Sequence, residues 1–334
     1  MRSPDERKAH HIRIVVTHKR PHQDELFAWQ LAAECGQDYF PGISDADQQA
    51  FDPGVHLDGR AETAWLAEGV LFLGCRGGMF DHHPHEKFPD DCTFTLMAAY
   101  LGVEGDPAVR WLARYVLQAD HNSTSHPLLF SEVLKHLYRK LPANDVVLLA
   151  RTVCACLYET QRDFFAAAAI VRAAKRLVAA DVESLRLAPE EGCAIPVVHG
   201  RTGKVVTLFV ANTDNEHLSA AARAKDAGLN AALVIHRHGD HTYISANKRL
   251  LASDLRELIA ALRCAEQAAA GNVVTRDPER LRAEGTIPEV PEWCYQYGIF
   301  NGSLTHPNVP RSKLPLAKIA AEAVTFLQQQ ARLP

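Results

Sequence analysis

The sequence predicts an α/β protein with an N-terminal, mostly parallel sheet flanked by helices, a helical connector, and a smaller C-terminal α+β domain. Three features predict it. Short apolar, β-branched runs alternate with helical spacing up to about Ala119, the pattern of strands joined by crossover helices. From Leu128 to about Val182 the spacing is helical almost throughout. After the proline-bearing LRLAPEEGCAIP, strands return, which places a boundary near Pro189 and domains at 1–188 and 189–334.

Ile12–Thr17 (IRIVVT) has the composition of a buried strand. The polar HKRPHQDE follows, and then LFAWQLAAEC, which is helical in spacing. Gly69–Gly74 (GVLFLG) reads as a second buried strand, and Thr93–Leu101 and Ala108–Ala119 as helices. Leu141-Pro142 interrupts the long helical region, and the alanine-rich Ala166–Ala180 suits close helix packing. Cys154 and Cys156 on that helix are read as core. In the second part, Lys204–Asn212 is a strand and Glu216–Ala227 a helix with Asp214 or Asn215 as its cap. Ala231–His238 and His241–Ser245 flank Gly239-Asp240 as a two-residue hairpin. Leu255–Ala270 is a further helix, and the last fifty residues read as irregular.

Composition narrows the function. The net charge of −4 and pI near 6.5 give no global basic field for long nucleic acid, so any such substrate is a short piece held by local groups. The start is charged, without a secretory apolar segment, and no apolar run is long enough to cross a bilayer. The eight cysteines include no CxxC pair, so reduced thiols and a cytoplasmic location are expected, with no membrane partner.

Three polar segments carry the chemistry. THKRPHQDE supplies His18, His22 and Asp24 directly after a strand. FDHHP supplies Asp81, His82 and His83 after another, and LQADHN supplies Asp120 past a helix. Loops at the carboxyl edge of one α/β sheet can converge, and these mixed N and O donors suit Mn, Zn or Fe rather than Ca. Arg76, Gly77 and Gly78 form a short loop whose backbone N–H groups suit an anion, or a plain tight turn.

The order H-x3-H-x-D, then D-H-H, then a lone Asp resembles the DHH phosphoesterase superfamily, most closely its Myg-type exonuclease branch. The resemblance covers about Ile12 to Asp120. It implies one or two divalent ions, Mn²⁺ first, with Mg²⁺, Zn²⁺ or Fe²⁺ as alternatives. His18 and His22 would hold one ion and Asp24 the other, with His82 and Asp120 completing the second site. Asp81 would orient the histidines and His83 would face the substrate phosphate. The implied activity is phosphodiester or phosphate hydrolysis through metal-activated water, on short oligonucleotides, nucleotides or a small phosphorylated compound. The family's bridging Asp is missing, because Gly74 stands at its place. Asp58 or Asp52 reaching in, Cys75 acting as a soft ligand, or a degraded centre each remain open. The last of these leads to the alternative of a non-catalytic nucleotide- or anion-binding protein on the same fold.

The second part offers His236, His238 and His241 around the hairpin, read as solvated side chains rather than a metal site. Arg237 or His238 are candidates to meet substrate phosphate, and Asn301, Gly302 and Ser303 in FNGSLTHP to grip a nucleotide end. A homodimer is compatible with all of this. A metal hydrolase acting on other bonds lacks a motif such as HExxH.

Overall fold

A computed structural model describes residues 8–83, 90–121, 129–174, 192–225, 229–251, 254–302 and 308–330. The chain is α/β and divides into two compact units, Met1–Arg162 and Asp163–Pro334. The expected boundary near Pro189 lies outside the described residues, and the division falls inside a long helix instead. The second unit is not the smaller one: it carries the larger sheet, seven strands against three.

In the first unit, β1 (Ile14–Thr17) is central and pairs in parallel with β2 (Asp47–Ala50) and β3 (Val70–Phe72). Val15 and Val16 are fully buried, so β1 is enclosed on both faces, as parallel strands are. Helices α1 (Gln23–Cys35), α2 (Pro53–His56), α3 (Glu62–Ala67), α4 (Thr93–Leu101), α5 (Pro107–His121) and α6 (Phe130–Leu137) surround the sheet. Strand β2, sequence DQQA, is polar because it lies at an edge with mostly exposed side chains. Thr17 ends β1 and Phe72 ends β3, so the chain leaves both strands at the same, carboxyl edge. The polar segments that follow them therefore start side by side.

Helix α7 (Ala143–Ala174) begins just after Pro142 and contributes to both units. Cys154 is buried on it as expected, but Cys156 is exposed, since residues two apart point to different sides of a helix.

The second unit is a mixed sheet in the order β4 (Cys193–Val198), β5 (Val205–Asn212), β6 (Leu233–His238), β7 (His241–Ala246), β10 (Ile299–Asn301), β9 (Val290–Tyr295), β8 (Gly285–Ile287). Only the β5–β6 pair is parallel. The period of two sorts its side chains. Leu208, Val210, Leu233 and Ile235 pack with α9 (Arg256–Ala269) and α11 (Leu316–Gln329). Phe209, Ala211 and Val234 face Ala167, Ala168, Val171 and Ala174 of α7 and the short α8 (Leu218–Arg223). The alanine run thus lets α7 approach the sheet closely, as its composition suggested.

The β6–β7 hairpin has His238 opposite His241, with Gly239 at φ +55° in the turn. Helix α8 is shorter than expected and starts after His217. The Asn215 carboxamide accepts from the His217 N–H, before the helix rather than at its cap. The last fifty residues are not irregular: following α10 (Pro278–Arg282), they supply three strands and α11. Among the described residues no helix is long and apolar enough to cross a membrane.

Arg263 on α9 is fully buried and donates to the carbonyls of Leu281, Ala283, Gly285 and Trp293. It therefore ties the end of α10 to β8 and β9. Arg263→Met keeps the aliphatic stem and strands those carbonyls, so unfolding should become easier by about 2–4 kcal/mol. Urea titration of the two proteins checks this, and unchanged midpoints would contradict it.

Candidate metal centre

The site begins with α1. Its first three residues, Gln23, Asp24 and Glu25, are all polar and all at least 97% buried (3%, 2% and 1% exposed). Carboxylates at a helix N-terminus are favoured by its dipole, but that explains surface acids, not two adjacent buried ones. Their partners come from other segments.

Glu25 reaches back along the β1–α1 loop. One oxygen accepts from the His22 backbone N–H at 2.6 Å, and the other lies 2.9 Å from His18 Nδ1 and 3.2 Å from the His18 N–H. Asp24 turns the opposite way. Its Oδ2 accepts from the Thr93 N–H at the start of α4 at 3.2 Å and lies 3.6 Å from His82 Nδ1. The second Asp24 oxygen, Oδ1, is buried without any partner. On its other side, His82 places Nε2 3.3 Å from Asp120 at the end of α5. Asp81 holds His83 through Nδ1 at 2.7 Å and through its backbone N–H at 3.0 Å.

The imidazoles form a connected row. His22 and His18 stack at 5.6 Å, His18 meets His83 edge-on at 5.2 Å, and His83 stacks on His82 at 4.5 Å. Three sets of donor atoms lie within 4.8 Å of one another: His18, His22 and Glu25; Asp24, His82 and Asp120; Asp81, His82 and His83. These buried His/Asp clusters could hold a metal ion. All seven of the sequence's metal-site and catalytic candidates in the first unit are gathered here.

Electrostatics fits a centre that needs added positive charge. Burial, with Glu25 and Asp120 nearby, raises the Asp24 pKa. The Glu25 hydrogen bond raises His18. Burial works against protonation of His82, but the Asp120 hydrogen bond and the Asp24 charge outweigh it and raise its pKa. For Asp81, burial is outweighed by N–H donors from His83 and Gly77, and its pKa falls. A buried carboxylate oxygen with no donor is a rarity in folded proteins, and an ion is one of its few explanations. Asp24 Oδ1 is such an atom, and Asp24 belongs to one of the three donor sets.

The residue the sequence reading missed is Glu25. None of the replacements considered for the carboxylate absent at Gly74 reaches the centre. Asp52 caps α2 by accepting from the Gly54 N–H. Asp58 is paired with Arg60 on the surface. Cys75 is buried with Sγ 3.5 Å from the Val16 carbonyl and belongs to none of the donor sets among the described residues. Instead, a Cβ built on Gly74 would lie 2.7 Å from the Glu25 carboxylate. Glu25 thus fills the space that a side chain at Gly74 would take. The available signal was the adjacent acid pair Asp24-Glu25 opening a helix after two histidines.

Two N–H donors of the glycine loop are taken within the protein. Gly77 N–H donates to Asp81 at 2.6 Å and Met79 N–H to Glu62 at 2.9 Å, so the protein's own carboxylates occupy it. The Arg76 guanidinium donates to the carbonyls of His56 and Arg60. The loop braces Asp81, so Arg76 and the Gly77 N–H serve the protein's own groups rather than the substrate role expected for Arg76, Gly77 and Gly78.

In the second unit, the Arg237 guanidinium is held by the Thr242 hydroxyl and the Leu314 carbonyl, and His238 lies 3.4 Å from Asp214. Asn301 is buried and donates to the Glu292 and Pro310 carbonyls, which makes it a structural pin rather than a free contact. Gly302 follows at φ +56°, and Ser303 lies outside the described residues. His236, His238 and His241 do not form a donor set close enough for one ion. Compared with protein families, curated proteins and solved structures, the chain matches none.

Two predictions follow the geometry. Gly74→Asp should lower both thermal stability and Mn²⁺ uptake, because the new side chain collides with Glu25 at a left-handed backbone position. Elemental analysis after dialysis checks it, and a gain in bound metal would contradict it. Metal-free protein should lose stability as the pH rises. His18 and His82 have folded pKa values above the ordinary 6.5, so their stabilising contribution is full below that value and is lost as the pH climbs through the raised ones. Thermal melts in EDTA at roughly pH 6 to 8 test this; a melting temperature that rises across the window would contradict it.

Proposed function

We propose that the chain is a divalent-metal-dependent phosphoester hydrolase of the kind its DHH-like motifs imply, acting on short oligonucleotides, nucleotides or small phosphorylated compounds. One observation carries the reading. Asp24, His82 and Asp120, from three segments far apart in sequence, bring donor atoms within 4.8 Å of one another, and Asp24 also carries a buried oxygen with no hydrogen-bond partner.

His18, His22 and Glu25 would hold one ion, and Asp24, His82 and Asp120 a second, with Mn²⁺ suited to this hard, mixed donor set. Such ions lower the pKa of a water and neutralise phosphate oxygens. The rest is the work of the chain's own groups. Asp81 fixes the His83 ring through Nδ1, leaving Nε2 to meet a substrate oxygen, and the His83 side chain is 45% exposed, so it is reachable. Thr93, through its backbone N–H, holds the Asp24 carboxylate in place. The alternative of a non-catalytic nucleotide- or anion-binding protein rests on the glycine at position 74; Glu25, packed beside that glycine and within the His18/His22 donor set, supports the hydrolase reading instead.

Hydrolysis of a generic phosphodiester and of short RNA should require Mn²⁺. His82→Ala should reduce kcat at least 100-fold, and Asp81→Asn by about 10- to 100-fold through loss of ring orientation. Steady-state kinetics with and without chelator checks this. Turnover indifferent to metal and to His82→Ala would overturn the reading.

A further inference from the structure

The cavity next to the centre in the first unit has no assigned role. It has a volume of about 440 Å³, within the range of small-ligand sites. Asp24 and Asp120 form part of its wall, and α5, α6 and the β1–α1 loop enclose it. Two features mark it as built for a ligand. Gln23 lines it, is 3% exposed, and leaves both its amide oxygen and its amide nitrogen without partners. A buried amide in that state is expensive unless something it binds completes it. The lining is also cationic: Arg20 on the β1–α1 loop, Lys135 on α6 and Arg139 just past it line the cavity, with Lys135 paired to Glu132 at 2.6 Å. The Tyr138 hydroxyl donates to the Pro21 carbonyl, which ties α6 to the loop and fixes the distance between the walls.

We infer that this cavity seats a second phosphate of the substrate, held by Arg20 and Arg139, while the Gln23 amide binds the polar frame joining it to the reacting phosphate. The inference rests on the proposed hydrolase activity only in giving the first phosphate to the metal centre. The substrate class is then a compact molecule with two phosphates, either a sugar bisphosphate or a short oligonucleotide with consecutive phosphodiesters.

The test is a binding titration of the full-length protein in Mn²⁺ with two pairs of probes. Fructose 6-phosphate is compared with fructose 1,6-bisphosphate, and the dinucleotide ApA with the trinucleotide ApApA. In the native protein the two-phosphate member of one pair should bind at least tenfold tighter than its partner, and which pair does so identifies the source. In Arg20→Ala/Arg139→Ala, both exposed positions, that ratio should fall to within threefold of one. Gln23→Leu should weaken the preferred probe while circular dichroism stays native. A ratio near one for both pairs in the native protein, no binding of any probe, or a ratio that survives the double substitution would overturn the inference. A preserved ratio with no hydrolysis would instead sink the hydrolase reading alone.

Discussion

Two adjacent carboxylates buried at the start of one helix constrain the rest of the first unit. Asp24 and Glu25 cannot both stay charged in that position without partners, because burying an uncompensated carboxylate is far more costly than any single packing contact repays. Three imidazoles (His18, His22 and His82), the Thr93 N–H and the His22 N–H gather around them. Even so, one Asp24 oxygen remains without a donor. The parallel pairing of β1 with β3 makes this gathering possible, since it sends both polar segments out of the same sheet edge.

The glycine at position 74 belongs to the same constraint. With no Cβ there, the Glu25 side chain can fold back beneath His18, and the left-handed backbone at Gly74 is free of steric penalty. The Glu25 side chain thus occupies the space that a side chain at position 74 would take. The Gly77–Gly78 loop follows a similar logic: the Gly77 N–H is spent on Asp81 and the Met79 N–H on Glu62, which stiffens the segment presenting His82 and His83.

Much of the fold was legible because it is periodic. Thr93–Leu101 forms a helix with the predicted bounds, and the turn at Gly239-Asp240 pairs His238 with His241 as two-residue hairpins do. Strand β2 was not legible, since an exposed edge strand of sequence DQQA has no apolar pattern to read. Strand β4 was hidden for a different reason: it carries Pro196, tolerated because β4 lies at the sheet edge. At the centre, His18, His22, Asp24, Asp81, His82, His83 and Asp120 stood out by residue type. Glu25 did not, because its part depends on the emptiness of a glycine 49 positions away, and no spacing rule encodes that (74 against 25). Arg76 and Asn301 misled for the opposite reason. Polar side chains beside glycines look available in a sequence, yet here backbone carbonyls take up their donors.

The most direct test of the account is a crystal of the full-length protein grown with Mn²⁺ and measured at the manganese absorption edge. The account predicts anomalous peaks within coordination distance of Asp24 Oδ1 and His82, and of His18 and Glu25. Crystals that contain manganese but show no peak beside Asp24 would contradict it.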